Sequence, residues 1–357
     1  MIALKPISSQ RQSVFRPAAD RKGSILVIAL WSLCLLVVFA INLGNGVRQK
    51  LILVYRLDEK SKLRFIAEAG IKKAIVELRK GKETIANTGE IYDSLNDNWS
   101  NNVSAFKDVD IGGGTFNISY TYIDGKSPYP TIRYGLIDEQ RKININTADE
   151  KILRHLFRLV LDFTEVEAQE LAASIVDWRD SDSELSIPLG SAEDYDYQGL
   201  RYPYEAKDTR FEVLEELLLV NGMDEEIFEK IKDYVTIYGD GKVNINTTSK
   251  VVLVALGLNE GLADKILYFR YGKDGTLSTP DDNVFVMSST IVPELSQFCN
   301  LSDSEVAQLS VIVDKYLAVG SDTFKIRSVS KLDNGKNTAE ITCMVNRRGK
   351  ILYWQES

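Results

Sequence analysis

The chain of 357 residues is long enough for two or three domains, and 44% apolar with 26% charged residues is an ordinary globular balance. Its net charge is -8 although its start is basic (Lys5, Arg11, Arg16, Arg21 and Lys22 against Asp20), so the remainder is more acidic still, and an acidic body argues against nucleic acid as a partner. One His and three Cys argue against a structural zinc site.

The first element, Ser24–Leu43, is apolar apart from Ser32 and Asn42. No charge appears between Lys22 and Arg48, so about 25 residues can cross ~30 Å of hydrocarbon as a helix that satisfies its own backbone. A cleaved secretory signal has a shorter apolar core, roughly 7–15 residues, and a small-x-small site after it. A soluble helix is rarely apolar on every face for this long. Here the basic leader ends in Gly23 just before the apolar run. That is the arrangement of a prepilin-type leader, cut between Gly23 and Ser24 with the apolar segment retained. The leader then stays cytoplasmic and the body is exported.

Residues 47–80 continue without Pro, with Leu63, Ile66, Ala67, Gly70, Ile71, Ala74, Ile75 and Leu78 at the spacing of one helical face. Arg64, Glu68, Lys72, Glu77 and Lys80 fall off that stripe. The pattern predicts one helix from Ser24 to about Lys80, packed on a sheet by its second half. Gly81–Asp110 reads as loop with one short helix. Thr115–Ile123 alternates as a strand between Gly112-Gly113-Gly114 and Asp124-Gly125, and Arg133–Asp138 with Arg141–Asn146 reads as a second hairpin.

Then comes a repeat: Lys142-Ile143-Asn144-Ile145-Asn146-Thr147 returns as Lys242-Val243-Asn244-Ile245-Asn246-Thr247. In each copy a short strand leads to an Asn or Thr that can cap a helix. Helices follow at Lys151–Leu161, Glu167–Trp178, Phe211–Val220 and Glu225–Val235 in the first copy. In the second they fall at Val251–Leu256, Gly261–Tyr271, Ile291–Phe298 and Ser304–Leu317. Each copy is expected to close on Gly and a strand, Gly239 into Lys242-Val243 and Gly320 into Phe324–Ile326. The result is two helical modules of about a hundred and about eighty residues, inserted into a sheet. Asp322–Ser330, Thr338–Asn346 and Lys350–Trp354 read as the sheet's last strands, with turns at Asn334-Gly335 and Arg348-Gly349.

The strongest chemical signal is the acidic loop Asp177, Asp180, Asp182 and Glu184, followed by Glu193 and Asp194. Close carboxylates repel unless solvated or neutralised, and hard oxygen ligands suit calcium; the residues alone leave both readings open. Asp274, Asp281 and Asp282 form a weaker second candidate. The Asn-Thr helix starts resemble helix–hairpin–helix DNA-binding units, but Val160–Thr164 lacks Gly and the second hairpin carries Glu260 and Asp264, against phosphate contact. His155 stands alone, and no catalytic constellation is visible. Cys34 lies in the apolar helix; Cys299 and Cys343 are able to pair only if the fold brings them together.

Lys22-Gly23-Ser24 with the apolar run, Ala67-Glu68-Ala69-Gly70, Asn144–Ala148, Asp177-Trp178 through Gly190–Asp194, and Glu215-Glu216-Leu217 through Asn221-Gly222 together resemble minor pseudopilin K of bacterial type II secretion systems, over nearly the whole chain. The resemblance implies an α+β, pilin-like fold in which a long N-terminal helix packs on an antiparallel sheet with a large all-α insertion. It implies calcium in that insertion, at the first acidic loop ahead of the second. It also implies a non-enzymatic place at the tip of a periplasmic pseudopilus, aiding protein export across the outer membrane. The partners implied are minor pseudopilins I and J, the major pseudopilin, the prepilin peptidase (with methylation after cleavage) and inner-membrane lipid, with no nucleic acid. The protein would be single-pass in the inner membrane, N-terminus cytoplasmic and bulk periplasmic. Expected boundaries are a leader at 1–23, membrane helix 24–46, pilin-like helix and strands 47–141, an insertion at 142–321 (repeats 142–241 and 242–321) and closing strands 322–357. Pilins usually carry Glu at mature position five; here that residue is Ile28, which suits a subunit with no neighbour's amine above it, since an unpaired carboxylate in apolar surroundings is costly. The alternative is a membrane-anchored helix–hairpin–helix protein of DNA binding and uptake.

Overall fold

The computed structural model describes residues 22–85, 91–123, 130–188, 190–333, 335 and 337–357. Residues 1–21 of the expected leader lie outside the described residues, as do Asp124, Gly125 and Asn334 of the expected turns. One helix, α1, spans Lys22–Ile85, and the chain divides at Lys60 into two compact units. In the first unit α1 exposes its large apolar side chains from Ile25 to Leu57 and is long and apolar enough to cross a membrane. Its Ser32 hydroxyl donates to the Ile28 carbonyl at 2.9 Å, so this polar group is satisfied within the helix.

In the second unit α1 lies on an antiparallel sheet. Leu63, Ile66, Ala67, Ile71, Ala74 and Leu78 are buried, the stripe read from spacing. Gly70 stands where α1 comes closest to the sheet: a Cβ there would collide with the Ser328 hydroxyl and Phe116. Glu77 departs from the expected outer face. It is buried between Lys73 and Lys80, both at 2.9 Å.

After the short helix α2 (Val103–Phe106), the strands are β1 (Val109–Asp110), β2 (Gly114–Ile118), β3 (Tyr120–Tyr122), β4 (Thr131–Arg133) and β5 (Ile137–Asp138). At the far end of the chain stand β10 (Thr323–Leu332), β11 (Thr338–Asn346) and β12 (Ile351–Glu356). The sheet runs β1-β2-β10-β11-β12, with β5 beside the start of β10. The expected strand Thr115–Ile123 breaks at Ser119, and β3 leaves the sheet to pair with β4. The expected second hairpin, Arg133–Asp138 with Arg141–Asn146, does not form. The segment between β4 and β5 bonds instead to the preceding loop (Asn102 N–H to Tyr134 C=O, Leu136 N–H to Trp99 C=O), a crossing so close that only Gly135 fits.

The inserted modules follow. The first runs from β6 (Ile143–Asn144) through α3 (Glu150–Leu161), α4 (Glu165–Arg179), α5 (Asp194–Gln198) and α6 (Glu225–Ile231) to β7 (Val235–Thr236). The second runs from β8 (Val243–Asn244) through α7 (Lys250–Ala255), α8 (Glu260–Arg270), α9 (Ile291–Phe298) and α10 (Asp303–Tyr316) to β9 (Leu317–Ala318). Each is closed by a parallel pair, β6 with β7 and β8 with β9. The closing strands thus fall before Gly239 and Gly320, not after them as expected. The expected helix Phe211–Val220 is a 3-10 turn, Leu214–Leu219, because Glu216 folds back to accept from Glu212 N–H, Val213 N–H and Lys207.

The repeated Asn residues do equivalent work, though not as helix caps. Asn146 exchanges two bonds with Phe211 (2.8 and 3.0 Å), and Asn246 exchanges two with Phe285 (2.9 and 2.8 Å). Asn144 and Asn244 accept from Asn146 N–H and Asn246 N–H two residues on. The caps are Asp149 and Ser249, whose oxygens accept from Ile152 N–H and Val252 N–H. One apolar core joins both modules, and a second lies between α1 and the sheet. Cys343 is buried in the second of these, and Cys299 and Cys343 are both free.

Candidate metal centre

The end of α4 carries the first acidic group inward. Asp177 and Trp178 are buried, and both Asp177 oxygens accept from Ser186 N–H (3.2 and 3.1 Å), which bends the following loop back over the helix end. Asp180 is the C-terminal cap residue of α4, and its Oδ1 is buried without a hydrogen-bond partner. Glu193, just before α5, is 6% exposed, and both of its carboxylate oxygens lack a partner. Burial, then Asp177, Asp180, Asp208 and Asp194, push its pKa up to about 7. Asp180 is raised as well, by burial and then by Asp182 and Asp177. Arg179, beside Asp180 and with Arg210 near it, donates to the Ala148 carbonyl and leaves its Nη1 unpartnered.

A buried carboxylate without a donor is costly, and four further carboxylates around it add to that cost. A hard divalent cation removes both costs at once, and the donor set is all oxygen. In donor chemistry the residues fit calcium, which Glu193, Asp177 and Asp180 would hold, but among the described residues the acidic trio whose oxygens lie within 4.8 Å of one another is Asp274, Asp281 and Asp282. Asp194 fixes the chain by accepting from Ala206 N–H at 2.8 Å. Of the other residues read from sequence, Asp182 stays exposed and accepts from Glu184 N–H, and Glu184 is exposed. Sequence reading missed Asp208. It lies far along the chain, and the fold returns it through its own N–H to the Trp178 carbonyl, in a left-handed conformation (φ 51°).

The second group is closer in geometry and different in chemistry. Carboxylate oxygens of Asp274, Asp281 and Asp282 lie within 4.8 Å of one another. Each already has donors: Asp281 accepts from Lys273 N–H, Asp274 N–H and the Thr279 hydroxyl, Asp282 from Ser278 N–H and Thr279, and Asp274 from Thr276 N–H. These bonds lower the Asp281 pKa. The loop is braced by its own amides.

His155 lines a cleft of about 360 Å³ with Arg158, Leu159, Val254, Leu258 and Gln308. The hairpin turns beside it place Glu165 against Arg158 and Asp264 against Lys250, so these cations are already neutralised by neighbouring acids.

Comparison with known proteins agrees with this architecture. Residues 116–240, from β2 through the whole first module and its acidic site, match the family model of type II secretion system protein K. The type II secretion system protein K of Aeromonas hydrophila is 25% identical, the match covering 94% of this chain and 97% of that one. A chain in the crystal structure of the GspK–GspI–GspJ complex from the enterotoxigenic Escherichia coli type 2 secretion system shares the fold, with a TM-score of 0.61 and 18% identity over 85% of this chain and 99% of that one. The long N-terminal helix, the antiparallel sheet and the helical insertion before the last strands are the fold that this chain shares with that solved chain. The family model, the Aeromonas hydrophila relative and the solved chain are all similar to this chain as protein K of type II secretion systems, the first over residues 116–240 and the other two over most of its length.

Proposed function

We propose that this protein is the tip subunit of a type II secretion pseudopilus, acting by assembly and not by catalysis in export across the outer membrane. The observation that carries the reading is the bulky two-module head set into a pilin-like sheet beyond an apolar helix. Such a head obstructs addition of another subunit above it. The GspK relative is solved with GspI and GspJ, which supports minor pseudopilins I and J as this chain's partners. The prepilin peptidase would cut between Gly23 and Ser24, leaving an anchor in the inner membrane with the head in the periplasm. Ile28 at the fifth mature position fits a terminal subunit. Calcium at Glu193, Asp177 and Asp180 would hold the α4–α5 loop in shape. The DNA-binding alternative has no support, because the hairpin cations are taken up by acids.

Co-purification from membranes with candidate minor pseudopilins I and J tests the assembly. Stoichiometric recovery with both is expected, in one copy per complex. Copies distributed along the pilus shaft, or recovery without either partner, contradict a tip role.

A further inference from the structure

The assembly reading leaves the outer edge of the sheet unused. Glu340 and Ser357 exchange both backbone bonds between the ends of β11 and β12 (3.1 and 3.0 Å). In an antiparallel ladder such pairs alternate with pairs that do not bond. The register Thr342 to Gln355 and Cys343 to Trp354 therefore turns the N–H and C=O of Trp354 and Glu356 away from β11, onto the open edge. Among the described residues no strand pairs there. Exposed edges are usually guarded by Pro, by Lys or by a bulge. Here a register shift at Met344/Val345 affects only the start of β12, and Tyr353–Glu356 carries neither Pro nor Lys.

The second observation is charge. The turn before β12 exposes Arg348 and Lys350, and a Cβ on Gly349 would lie 3.8 Å from the Arg79 side chain of α1. Three cations thus gather at one end of the open edge, with no ion pair of their own among the described residues, on a chain of net charge -8. At the other end Glu356 is already paired with Arg64 at 3.0 Å.

The geometry points to β12 as a docking edge that takes an extended, acid-bearing segment of a partner protein as an added strand, its carboxylates seated against Arg79, Arg348 and Lys350. Backbone bonds to Trp354 and Glu356 supply the attachment, and the cation cluster sets orientation. At a rise of ~3.3 Å per residue the carboxylates fall about four residues from the one facing Trp354. A second copy of this chain fits poorly. It brings the same cations, and the acid its edge offers, Glu356, is held by Arg64.

The test uses the full chain in detergent micelles and a peptide probe alternating valine and threonine, with two aspartates at one end. Amide hydrogen exchange should slow at least about tenfold at Trp354 and Glu356 when the peptide binds. Replacing the aspartates by lysines, or combining Arg348→Glu with Lys350→Glu, should weaken binding at least about tenfold. Methylating alternate peptide nitrogens should abolish it on the unaltered chain, whatever the variants do to folding. Equal affinity for the two peptides, or no protection of those two amides at millimolar peptide, overturns the proposal. So does protection of the same amides by self-association without peptide.

Discussion

Glu193 has the most to gain from a cation, and its titration gives the sharpest check. Its folded pKa is raised to about 7, so without metal its contribution to stability is full below the ordinary value of 4.5 and is lost as pH rises through about 7. Bound calcium needs the carboxylate ionised, which reverses the trend. In chelator the protein should melt at a lower temperature at pH 8 than at pH 5; with millimolar calcium that difference should shrink or invert. Glu193→Gln should raise the metal-free melting temperature and remove most of the calcium increment, read by calorimetry. Identical curves with and without calcium would discard the site. Asp138 is a contrasting case. Burial pushes it and Asp93 up to about 6, although Asp138 accepts from Thr247, Ser321, Asn244 and Gln140 and Asp93 pairs with the buried Arg347. Their contribution is full below 3.8 and is lost as pH rises through about 6. Asp138→Asn should therefore flatten the stability profile over that window, by on the order of 1–3 kcal/mol in denaturant titrations. Neither residue's importance was legible in sequence: an acid's cost depends on what the fold packs around it. The same holds for Asp208, which reaches Glu193 only through the long return of the chain after α4.

At the scale of elements, helices were easier to read than strands, for a physical reason. A helix carries its hydrogen bonds within itself and marks its ends by local chemistry, so Thr164 with Glu167 and Asn259 with Leu262 stand at the starts of α4 and α8, within two residues of the expected positions. The buried face of α1 was equally plain. A two-residue strand such as β7 has no periodicity to detect and exists because a distant partner, β6, completes it. The capping role read for Asn146 and Asn246 also failed on this ground: the amides bond to chain segments 65 and 39 residues away. Gly70 is the most exacting single position in α1. Gly70→Leu should destabilise the packing of α1 on the sheet by about 1–3 kcal/mol, because the added atoms meet Phe116 and Ser328 in a packed interface. Gly70→Ala is the milder companion, and an unchanged melting temperature for both would contradict the packing described.

For the whole molecule, the sequence showed an anchor, a sheet and a head, and left strand order to long-range pairing. The anchor makes a demand of its own. Ile28→Glu places a charge near the start of the apolar run, where it costs less than the roughly 2.5–3.5 kcal/mol of a charge at a membrane helix's centre but still needs a partner. The variant should stay in the membrane on alkaline extraction and give a lower yield with candidate minor pseudopilins I and J. Wild-type yield would show that position 28 is indifferent to charge. The head, by contrast, burdens the sheet very little. The chain departs from the sheet after Asp138 and comes back at Thr323, and the register sets Asp138 directly against Phe324. To the remaining strands the whole excursion is a loop between two adjacent strands. Because closure entropy grows only with the logarithm of loop length, lengthening or shortening that excursion changes the cost of closing the sheet around it very little.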